Sequence, residues 1–272
     1  MCRHKGRVKV QFSFIPSHPM ASRSTISFVR SLQQRKFRQQ EACFIVEGSK
    51  LLLELLNSSY EIQHIYALSG WEIPLLAKEY PIEIISEKEL EQISALQTPN
   101  KVLAVVKIPE AHQFIAPMEG LHLLIDQLQD PGNLGTIIRI ADWFGFQSVV
   151  CSPDTVECYN PKVVQATMGS LFRIPINYHP LADLLIKNAS TVKMSVYATL
   201  LEGENLYDHH LSKDAFIVMG NESRGMSPLL LPFINHAIRI PEGKINVPIA
   251  ESLNVGIATG IICAEFRRQF PA

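Results

Sequence analysis

The chain has 272 residues, of which 47% are hydrophobic and 19% charged, and its formal net charge is −1. This balance is typical of a folded globular protein. No apolar run reaches the roughly 18 residues that span a bilayer, which excludes a transmembrane anchor. The five cysteines lack the paired spacing of a zinc site, so we expect a reducing, cytoplasmic setting and no metal.

The charge is distributed unevenly. Residues 1–50 contain ten Lys/Arg and two Glu, a net charge of +8, which leaves −9 for the rest. The interval 20–40 has five basic residues and no acidic one. This pattern favours a polyanionic partner, although it is also typical of a solvent-exposed helix face. Its basic residues are Arg23, Arg30, Arg35, Lys36 and Arg38.

Residues 1–22 are predicted to form a disordered leader, in which Met20 offers a second translation start. The pattern over 23–108 then alternates between helical and extended segments, which predicts a small α/β domain. Ser86 and Glu89 have the spacing of a capping box. Helices are predicted over 24–37, from Ser49, and over 73–79 and 86–96, and strands over 43–46, 62–68, 82–85 and 102–108. A linker follows at 109–119.

The segment 121–146 predicts a strand, a turn and a helix. Asp130-Pro131-Gly132 interrupts the chain before apolar residues recur at helical spacing. Asn133 stands just before the first of them, where its side chain could cap the helix. Arg139 lies in the second turn, and we considered Asp142 and Asp126 as structural ion-pair partners for it.

The alternation continues to the end of the chain over 120–272. Helices of about ten residues between strands predict a mainly parallel sheet with helices on both faces. Pro228 follows Ser227 at what is predicted to be the first turn of a short helix. The strands are predicted over 148–151, 173–178, 195–200, 215–219 and 236–240, and the helices over 161–171, 181–189, from 227, and over 255–268.

Three polar loops follow buried strands, at 130–135, 220–225 and 241–254. Ligands of open parallel sheets collect at the carboxyl ends of the strands. The loops would therefore meet at one edge if their strands are neighbours, a condition that spacing alone does not settle. The chain lacks GxGxxG and GxxxxGK[ST], and also HExxH and GxSxG, so dinucleotide, P-loop, zincin and α/β-hydrolase sites are not supported.

The segments DPGNLGTIIRIAD, VMGNESRGMSP and RIPEGKINVPIAESLNVGIATGI resemble motifs 1, 2 and 3 of the SpoU (TrmH-like) RNA ribose methyltransferases of the SPOUT superfamily. Their order and their spacing to the chain end also match. A weaker similarity over 24–108, carried by SLQQRKFRQQEACFIVEGSKLLLELL, is to the N-terminal substrate-binding domain of many members.

The resemblance implies methyl transfer from S-adenosylmethionine to a ribose 2′-hydroxyl of ribosomal or transfer RNA. It also implies a C-terminal trefoil knot that cups the cofactor, a rare feature that no pattern rule predicts. The active unit would be a homodimer, with neither DNA nor a membrane as partner. The target nucleotide is left open.

The resemblance also assigns residues. The catalytic set would be Asn133, Arg139, Glu222, Ser252 and Asn254. The backbone that holds the cofactor would be that around Leu200, Gly220, Asn221, Ile240 and Leu253. Contacts to RNA would come from Arg30, Arg35, Lys36 and Arg38. The connection over 241–251 is longer than in the compact family form, which leaves the path of this cofactor loop open.

Physical chemistry restricts the role of Arg139. A neutral guanidine at pH 7 would cost about 7.5 kcal/mol against a reference pKa of at least ~12.5. General base catalysis lowers the free-energy barrier of a reaction by only about 3 to 5 kcal/mol. We therefore expect a charged Arg139 that binds a phosphate and stabilises a developing alkoxide, with the proton lost to water or to the phosphate.

Simpler interpretations accompany these assignments. Glu222 could cap a helix after its loop, and Ser252 or Asn254 could cap the last helix. At the level of function, one alternative is a catalytically inactive RNA-binding protein of the same fold that acts in ribosome assembly. Another is a nucleotide-binding protein with a small-molecule substrate.

Overall fold

The computed structural model describes residues 21–110, 116, 119–191, 193–221, 224–243 and 252–271. The predicted leader therefore lies almost wholly outside the described residues, as does most of the long connection over 241–251. In the described part of the chain, every helix is too short or too polar to cross a bilayer.

The N-terminal half alternates as predicted, with differences at the element ends and with two helices, Arg23–Ser31 and Arg35–Glu41, in place of the single one predicted over 24–37. The Ser86 hydroxyl accepts a hydrogen bond from the Glu89 N–H, and the Glu89 carboxylate accepts one from the Ser86 N–H, which confirms the capping box. The predicted helix at 73–79 is instead a short 3₁₀ helix, Leu75–Glu79. The elements are α1 (Arg23–Ser31), α2 (Arg35–Glu41), β1 (Cys43–Glu47), α3 (Ser49–Leu56), β2 (Ile62–Leu68), β3 (Ile82–Ile85), α4 (Glu87–Ile93) and β4 (Val102–Lys107).

These strands form a mixed four-stranded sheet in the order β1-β4-β2-β3. Strand β4 is antiparallel to both β1 and β2, whereas β2 and β3 are parallel. Helices α1 and α4 pack on one face, around Val29, Leu32 and Leu90, and α3 packs on the other with Leu52 and Leu55. The sheet is thus covered on both faces.

The C-terminal half continues the alternation through a larger sheet. Its elements are β5 (Leu121–Ile125), α5 (Pro131–Trp143), β6 (Ser148–Cys151), α6 (Pro161–Thr167), β7 (Ile176–Tyr178), α7 (Leu181–Ser190), β8 (Ser195–Asn205), β9 (Ala215–Met219), β10 (His236–Arg239) and α8 (Val255–Gln269). Short 3₁₀ helices follow α6, β8 and β9, at Ser170–Phe172, Leu206–Asp208 and Leu231–Phe233.

The short helix predicted to start at Ser227 begins four residues later and is a 3₁₀ helix. The chain makes turns over 228–230 and then the 3₁₀ helix Leu231–Phe233. Pro232 explains the difference, because its ring would clash with the carbonyl of Pro228 four residues earlier in an α-helix. Pro228, which was predicted to lie in the first turn of a helix, therefore marks a turn.

The larger sheet is parallel throughout its recorded pairs, with the order β10-β8-β9-β5-β6-β7. The chain runs outward from β5 through β6 and β7, then returns to build β8, β9 and β10 on the other side. The strand order thus reverses between β5 and β9. Such a reversal opens a crevice at the carboxyl ends of the strands, where ligands of these sheets bind.

Both faces of this sheet are covered by helices, which confirms the predicted α/β class. Leu123 and Ile217 face a core shared with α5 and α8, which contribute Ile137 and Phe266. Alternate residues of the same strands face a second core built around α7. Because side chains alternate along a strand, this arrangement explains the continuous apolar runs of β5 and β9.

The two sheets share one apolar core. Phe44 of β1 lies 4.7 Å from the Tyr159 ring and 6.0 Å from the Tyr60 ring, measured between centroids. The Tyr60 ring in turn meets that of Phe172 edge-on at 5.3 Å. Arg173 pairs with Glu54 of α3 across the same junction. The smaller sheet is therefore packed firmly against the larger one.

Candidate functional site

The three predicted loops leave from strands of one sheet, and two of these strands are neighbours. The motif 1 loop follows β5, the motif 2 loop (220–227) follows β9, and β9 lies directly beside β5. The described start of the motif 3 segment follows β10, two strands further along. The condition that spacing left open is therefore met by the strands of motifs 1 and 2 and not by that of motif 3, although all these strands are parallel and their carboxyl ends share one edge.

Helix α5 begins one turn earlier than the predicted cap implies. Asp130 is the N-cap, and its Oδ1 accepts a hydrogen bond of 2.7 Å from the Asn133 N–H. Pro131 occupies the first helical position, where its missing N–H is harmless. The prediction that Asn133 caps the helix is therefore wrong, and its side chain is left for another partner.

That partner comes from motif 3. The Asn254 Nδ2 donates a hydrogen bond of 2.9 Å to the Asn133 Oδ1. The Asn254 Oδ1 meanwhile accepts from the N–H groups of Gly256 and Ile257, which makes Asn254 the N-cap of α8. One asparagine thus ends the motif 3 segment and joins it to the motif 1 helix.

Close packing of α5 and α8 supports this contact. A Cβ built on Gly256 would lie 3.1 Å from the Cγ2 of Thr136. The N-terminal turns of both helices can therefore lie side by side, which places their free N–H groups at the same edge of the sheet.

Arg139 lies on the exposed surface of α5. The structure contradicts both structural partners considered for it, because Asp142 pairs with Arg173 at 2.8 Å and Asp126 accepts from the Ser227 N–H at 2.7 Å. Among the described residues, none forms a hydrogen bond or an ion pair with the Arg139 guanidinium. Its charge is available to a ligand on the side of α5 that faces solvent.

The motif 2 loop makes a tight turn. Asn221 and Gly225 exchange two backbone hydrogen bonds of 2.9 Å. A Cβ on Gly220 would lie 3.0 Å from the backbone of Gly225 and Met226, so the closeness of the two loop ends favours glycine at 220. The predicted catalytic residue Glu222 lies outside the described residues.

The predicted cofactor positions fall on several strand ends. Leu200 lies within β8 rather than at its end, since the strand runs on to Asn205. The register of β8 against β10 jumps from Ala198 to Glu204, so residues 199–203 have no partner on β10. Leu200 therefore lies where β8 leaves the regular ladder.

The described remainder of motif 3 is exposed. Ile240 directly follows β10 and is half-buried. Ser252 is exposed, and Leu253 shows 47% of its surface to solvent, a large fraction for an apolar side chain. Ser252 does not cap α8, because Asn254 does.

Three of the four predicted RNA contacts lie on the surface. Arg30, Arg35 and Lys36 are exposed on α1 and α2. Arg38 is not available to RNA, because only 1% of its surface is exposed. Its guanidinium donates to the carbonyls of Leu32 and Gln33 and pairs with Glu157 at 2.6 Å, which contradicts the prediction.

The polar residues that sequence reasoning missed lie in the turn after β5. Asp126 is buried and bonded to the motif 2 loop, and the Gln127 carbonyl accepts from the Asn221 side chain at 2.8 Å. A polar residue at the end of a buried strand was the available signal for Asp126. Nothing local in the sequence indicated the contact of Gln127.

Within the described residues, no group of three or more His, Cys, Asp or Glu side chains could hold a metal ion. The cysteines there are buried free thiols. Burial raises the pKa of Cys158 to about 12, which leaves its thiol protonated and unreactive.

Comparison with known proteins identifies the family. The model of the SpoU rRNA methylase family matches residues 120–264, and that of an MRM3-like substrate-binding domain matches residues 23–104. A 23S rRNA (guanosine(2553)-2′-O)-methyltransferase, RlmP of Bacillus subtilis, is 31% identical over 88% of this chain and 94% of its own. A 23S rRNA (uridine(2479)-2′-O)-methyltransferase of Streptomyces viridochromogenes is 27% identical over 88% and 87%.

Comparison with solved structures points to the same family. A TrmH-family protein from Porphyromonas gingivalis superposes with a TM-score of 0.82 at 35% identity, covering 92% of this chain and all of its own. An rRNA methyltransferase from Sinorhizobium meliloti with bound AdoMet gives 0.80 at 28% identity, covering 91% and 95%. Motifs, fold and relatives coincide, and the chain belongs to the SpoU rRNA methylase family.

Proposed function

We propose that the protein transfers a methyl group from S-adenosylmethionine to a ribose 2′-hydroxyl of RNA. The observation that carries this proposal is the hydrogen bond between Asn133 and Asn254, which joins motifs 1 and 3 at the edge where the strand order reverses. Arg139 stands on the same helix with its charge unpaired by any described residue.

The residues present fit the cofactor. Gly220 has no side chain to cover the backbone after β9, and residues 199–203 of β8 do not pair with β10. Leu253 offers an exposed apolar side chain at the same edge. When bound, S-adenosylmethionine supplies an electrophilic methyl group on a sulfonium centre. We assign its binding to the backbone around Leu200, Gly220, Asn221, Ile240 and Leu253.

The chain itself must make a poor nucleophile react. A ribose hydroxyl attacks well only when it is held in line and its developing negative charge is stabilised. Arg139 stays cationic, because neutralising a guanidine at pH 7 costs more than general base catalysis returns. It binds the phosphate beside the target ribose and stabilises the 2′-oxygen as it loses its proton to water or to that phosphate.

The remaining catalytic residues act by orientation. Asn133 and Asn254 hold each other, so that neither amide can rotate freely. They fix the motif 1 and motif 3 segments around the ribose, and Glu222 and Ser252 complete the set in our proposal. The roles follow the family motifs, and the contact between the two asparagines supports them.

The substrate in our proposal is ribosomal RNA, as in the named relatives from Bacillus subtilis and Streptomyces viridochromogenes. One of those enzymes acts on guanosine and the other on uridine, so the family fold accommodates both a purine and a pyrimidine. Arg30, Arg35 and Lys36 supply an exposed basic surface on the N-terminal domain, and phosphate neutralisation provides most non-specific RNA affinity.

The domain boundaries, the assembly and the compartment are also part of the proposal. The N-terminal domain spans 23–108, a linker 109–119 and the methyltransferase domain 120–272, in agreement with the ranges of the two family models. By its family motifs the chain ends in a trefoil knot and acts as a homodimer. We further propose that it acts in the cytoplasm on ribosomal RNA.

Transfer of radiolabelled methyl groups to unmodified ribosomal and transfer RNA tests the function. We expect wild type to label ribosomal RNA at ribose, and Arg139→Ala to lower kcat/KM by about 100- to 1,000-fold, as for loss of a donor to a developing oxyanion. Lys187→Ala, an exposed cation on α7, is the matched control and should match wild type.

Equal labelling by wild type and Arg139→Ala would remove the role of Arg139. Binding of RNA without any labelling by wild type would favour a catalytically inactive RNA-binding protein that acts in ribosome assembly.

A further inference from the structure

The turn after β5 contains a strained residue that touches the motif 2 loop. Gln127 has φ +55°, in the left-handed region that residues with a Cβ rarely adopt. Its N–H donates to the Ser152 Oγ at 2.9 Å. Its carbonyl accepts from the Asn221 Nδ2 at 2.8 Å and from the Gln129 Nε2 at 3.2 Å. Such strain persists only where surrounding contacts hold it, and it concentrates at functional sites.

The residue before it holds the other end of the same loop. Asp126 is 97% buried, since only 3% of its surface is exposed, and its Oδ2 accepts a hydrogen bond of 2.7 Å from the Ser227 N–H. A hydrogen bond from a backbone N–H to a carboxylate is stronger than one between two neutral groups. Burial raises the pKa of Asp126, and the hydrogen bond from Ser227 opposes that rise.

Two consecutive residues of the turn after β5, Asp126 and Gln127, therefore bind the motif 2 loop at its two ends, Ser227 and Asn221. Between these ends, Asn221 and Gly225 are tied by two backbone hydrogen bonds. The same β5 turn leads within a few residues to Asp130, the N-cap of α5. One rigid turn thus connects the loop that carries Glu222 with the helix that carries Asn133 and Arg139.

We propose that Asp126 and Gln127 are positioning residues, which clamp the motif 2 loop to the end of β5 and so fix the two ends of this loop relative to the catalytic residues of α5. The inference rests on the proposed function for its catalytic consequence. The clamp itself is a property of the loop, and it can be measured without any activity.

The variants follow from the two contacts. Asp126→Ala removes the acceptor for the Ser227 N–H, whereas Asp126→Asn keeps a side-chain oxygen in its place. Asn221→Asp removes the donor to the Gln127 carbonyl and keeps a side-chain oxygen for the Arg224 N–H, which donates to the Asn221 Oδ1 at 3.1 Å. Asp154→Ala is the matched control, because it removes a neighbouring exposed carboxylate that does not bond to the loop.

The first readout is tryptic cleavage after Arg224, an exposed residue within the loop. We expect Asp126→Ala and Asn221→Asp to be cut there at least tenfold faster than wild type, as measured from the masses of the fragments. Asp126→Asn and Asp154→Ala should be cut at about the wild-type rate. Cleavage of Asn221→Asp at the wild-type rate would overturn the clamp, even if Asp126→Ala fails to fold.

The second readout is the separation of kcat from KM in methyl transfer to RNA. We expect Asp126→Ala to lower kcat at least tenfold with less than a threefold change in KM for RNA, and Asp126→Asn to recover most of the loss. Equal loss in both variants would overturn the role of the hydrogen bond. If wild type methylates no RNA, the proposed function fails, and the cleavage rates still decide whether the clamp exists.

Discussion

The side-chain amide of Asn254 donates a 2.9 Å hydrogen bond to the side-chain oxygen of Asn133, which lies 121 positions earlier in the chain. Each asparagine also stands in the first turn or at the cap of a helix, so the bond ties α8 to α5 at their N-termini. This pair joins the C-terminal segment of the fold to its first methyltransferase helix.

Removing either asparagine of this pair should destabilise the protein, and both variants should lose the same hydrogen bond. We expect a coupling free energy of about 1 kcal/mol in the double-mutant cycle of Asn133→Ala and Asn254→Ala, the net value of one hydrogen bond. Asn254→Ala should cost roughly 1 kcal/mol more, because it also removes the cap of α8. Urea denaturation measures both, and strictly additive effects would contradict the coupling.

Arg38 and Arg30 should differ sharply in their effect on stability, although both belong to the same basic segment. Arg38→Ala leaves the largely buried Glu157 carboxylate without its partner and should cost about 3 to 5 kcal/mol. Arg30→Ala, at an exposed position, should change the free energy of unfolding by less than about 0.5 kcal/mol. Thermal denaturation compares the two, and similar melting temperatures would contradict the buried ion pair.

The exposed cations should act through salt-dependent RNA binding. If Arg35 contacts a phosphate, Arg35→Gln should weaken binding about equally for different RNA sequences and lower the slope of log K against log salt by about 1. Fluorescence anisotropy over a range of salt concentrations measures this slope. Lys187→Gln on α7 is the control, and an unchanged slope in Arg35→Gln would place the RNA elsewhere.

Acid should destabilise the protein through His122. Its ring is buried, its Nε2 donates to the Glu119 carbonyl at 2.8 Å, and its Nδ1 accepts from the Ser148 hydroxyl at 2.8 Å. Burial lowers the pKa of His122 below its ordinary value near 6.5. The unfolded chain therefore binds a proton at His122 more readily than the folded protein does. The contribution of the neutral, buried His122 to the free energy of unfolding is thus fully present above about pH 6.5 and is lost as the pH falls.

His122→Gln should flatten the dependence of the free energy of unfolding on pH between about 5 and 7, as measured by urea denaturation at several pH values. The exposed His210 is the matched control, and His210→Gln should keep the wild-type slope. An unchanged slope in His122→Gln would assign the acid sensitivity to other groups.

Much of the fold was readable from local patterns. The predicted strands Ile62–Leu68, Ile82–Ile85, Ser148–Cys151 and Ala215–Met219 match the observed bounds. These segments are short, apolar and bounded by polar turns, so periodicity and composition agree in each. The Ser86 capping box was also predicted, because both of its hydrogen bonds are local in sequence.

The errors arise where a proline or a distant partner decides the outcome. Asp130 precedes Pro131 and caps α5, a position that the proline rule favours over Asn133. The buried state of Arg38 depends on Glu157, which lies 119 positions away, and no local pattern carries that information. The predicted partners of Arg139 were likewise taken by Arg173 and Ser227 from other parts of the chain.

The aromatic junction of Phe44, Tyr60, Tyr159 and Phe172 has a consequence for folding. Because one apolar core runs through both sheets, neither half can lose its structure without exposing buried surface on the other. Calorimetry should show a single heat-absorption peak rather than two. A fragment that begins near residue 119 would expose this apolar surface to solvent and precipitate, so the N-terminal half also keeps the C-terminal half soluble.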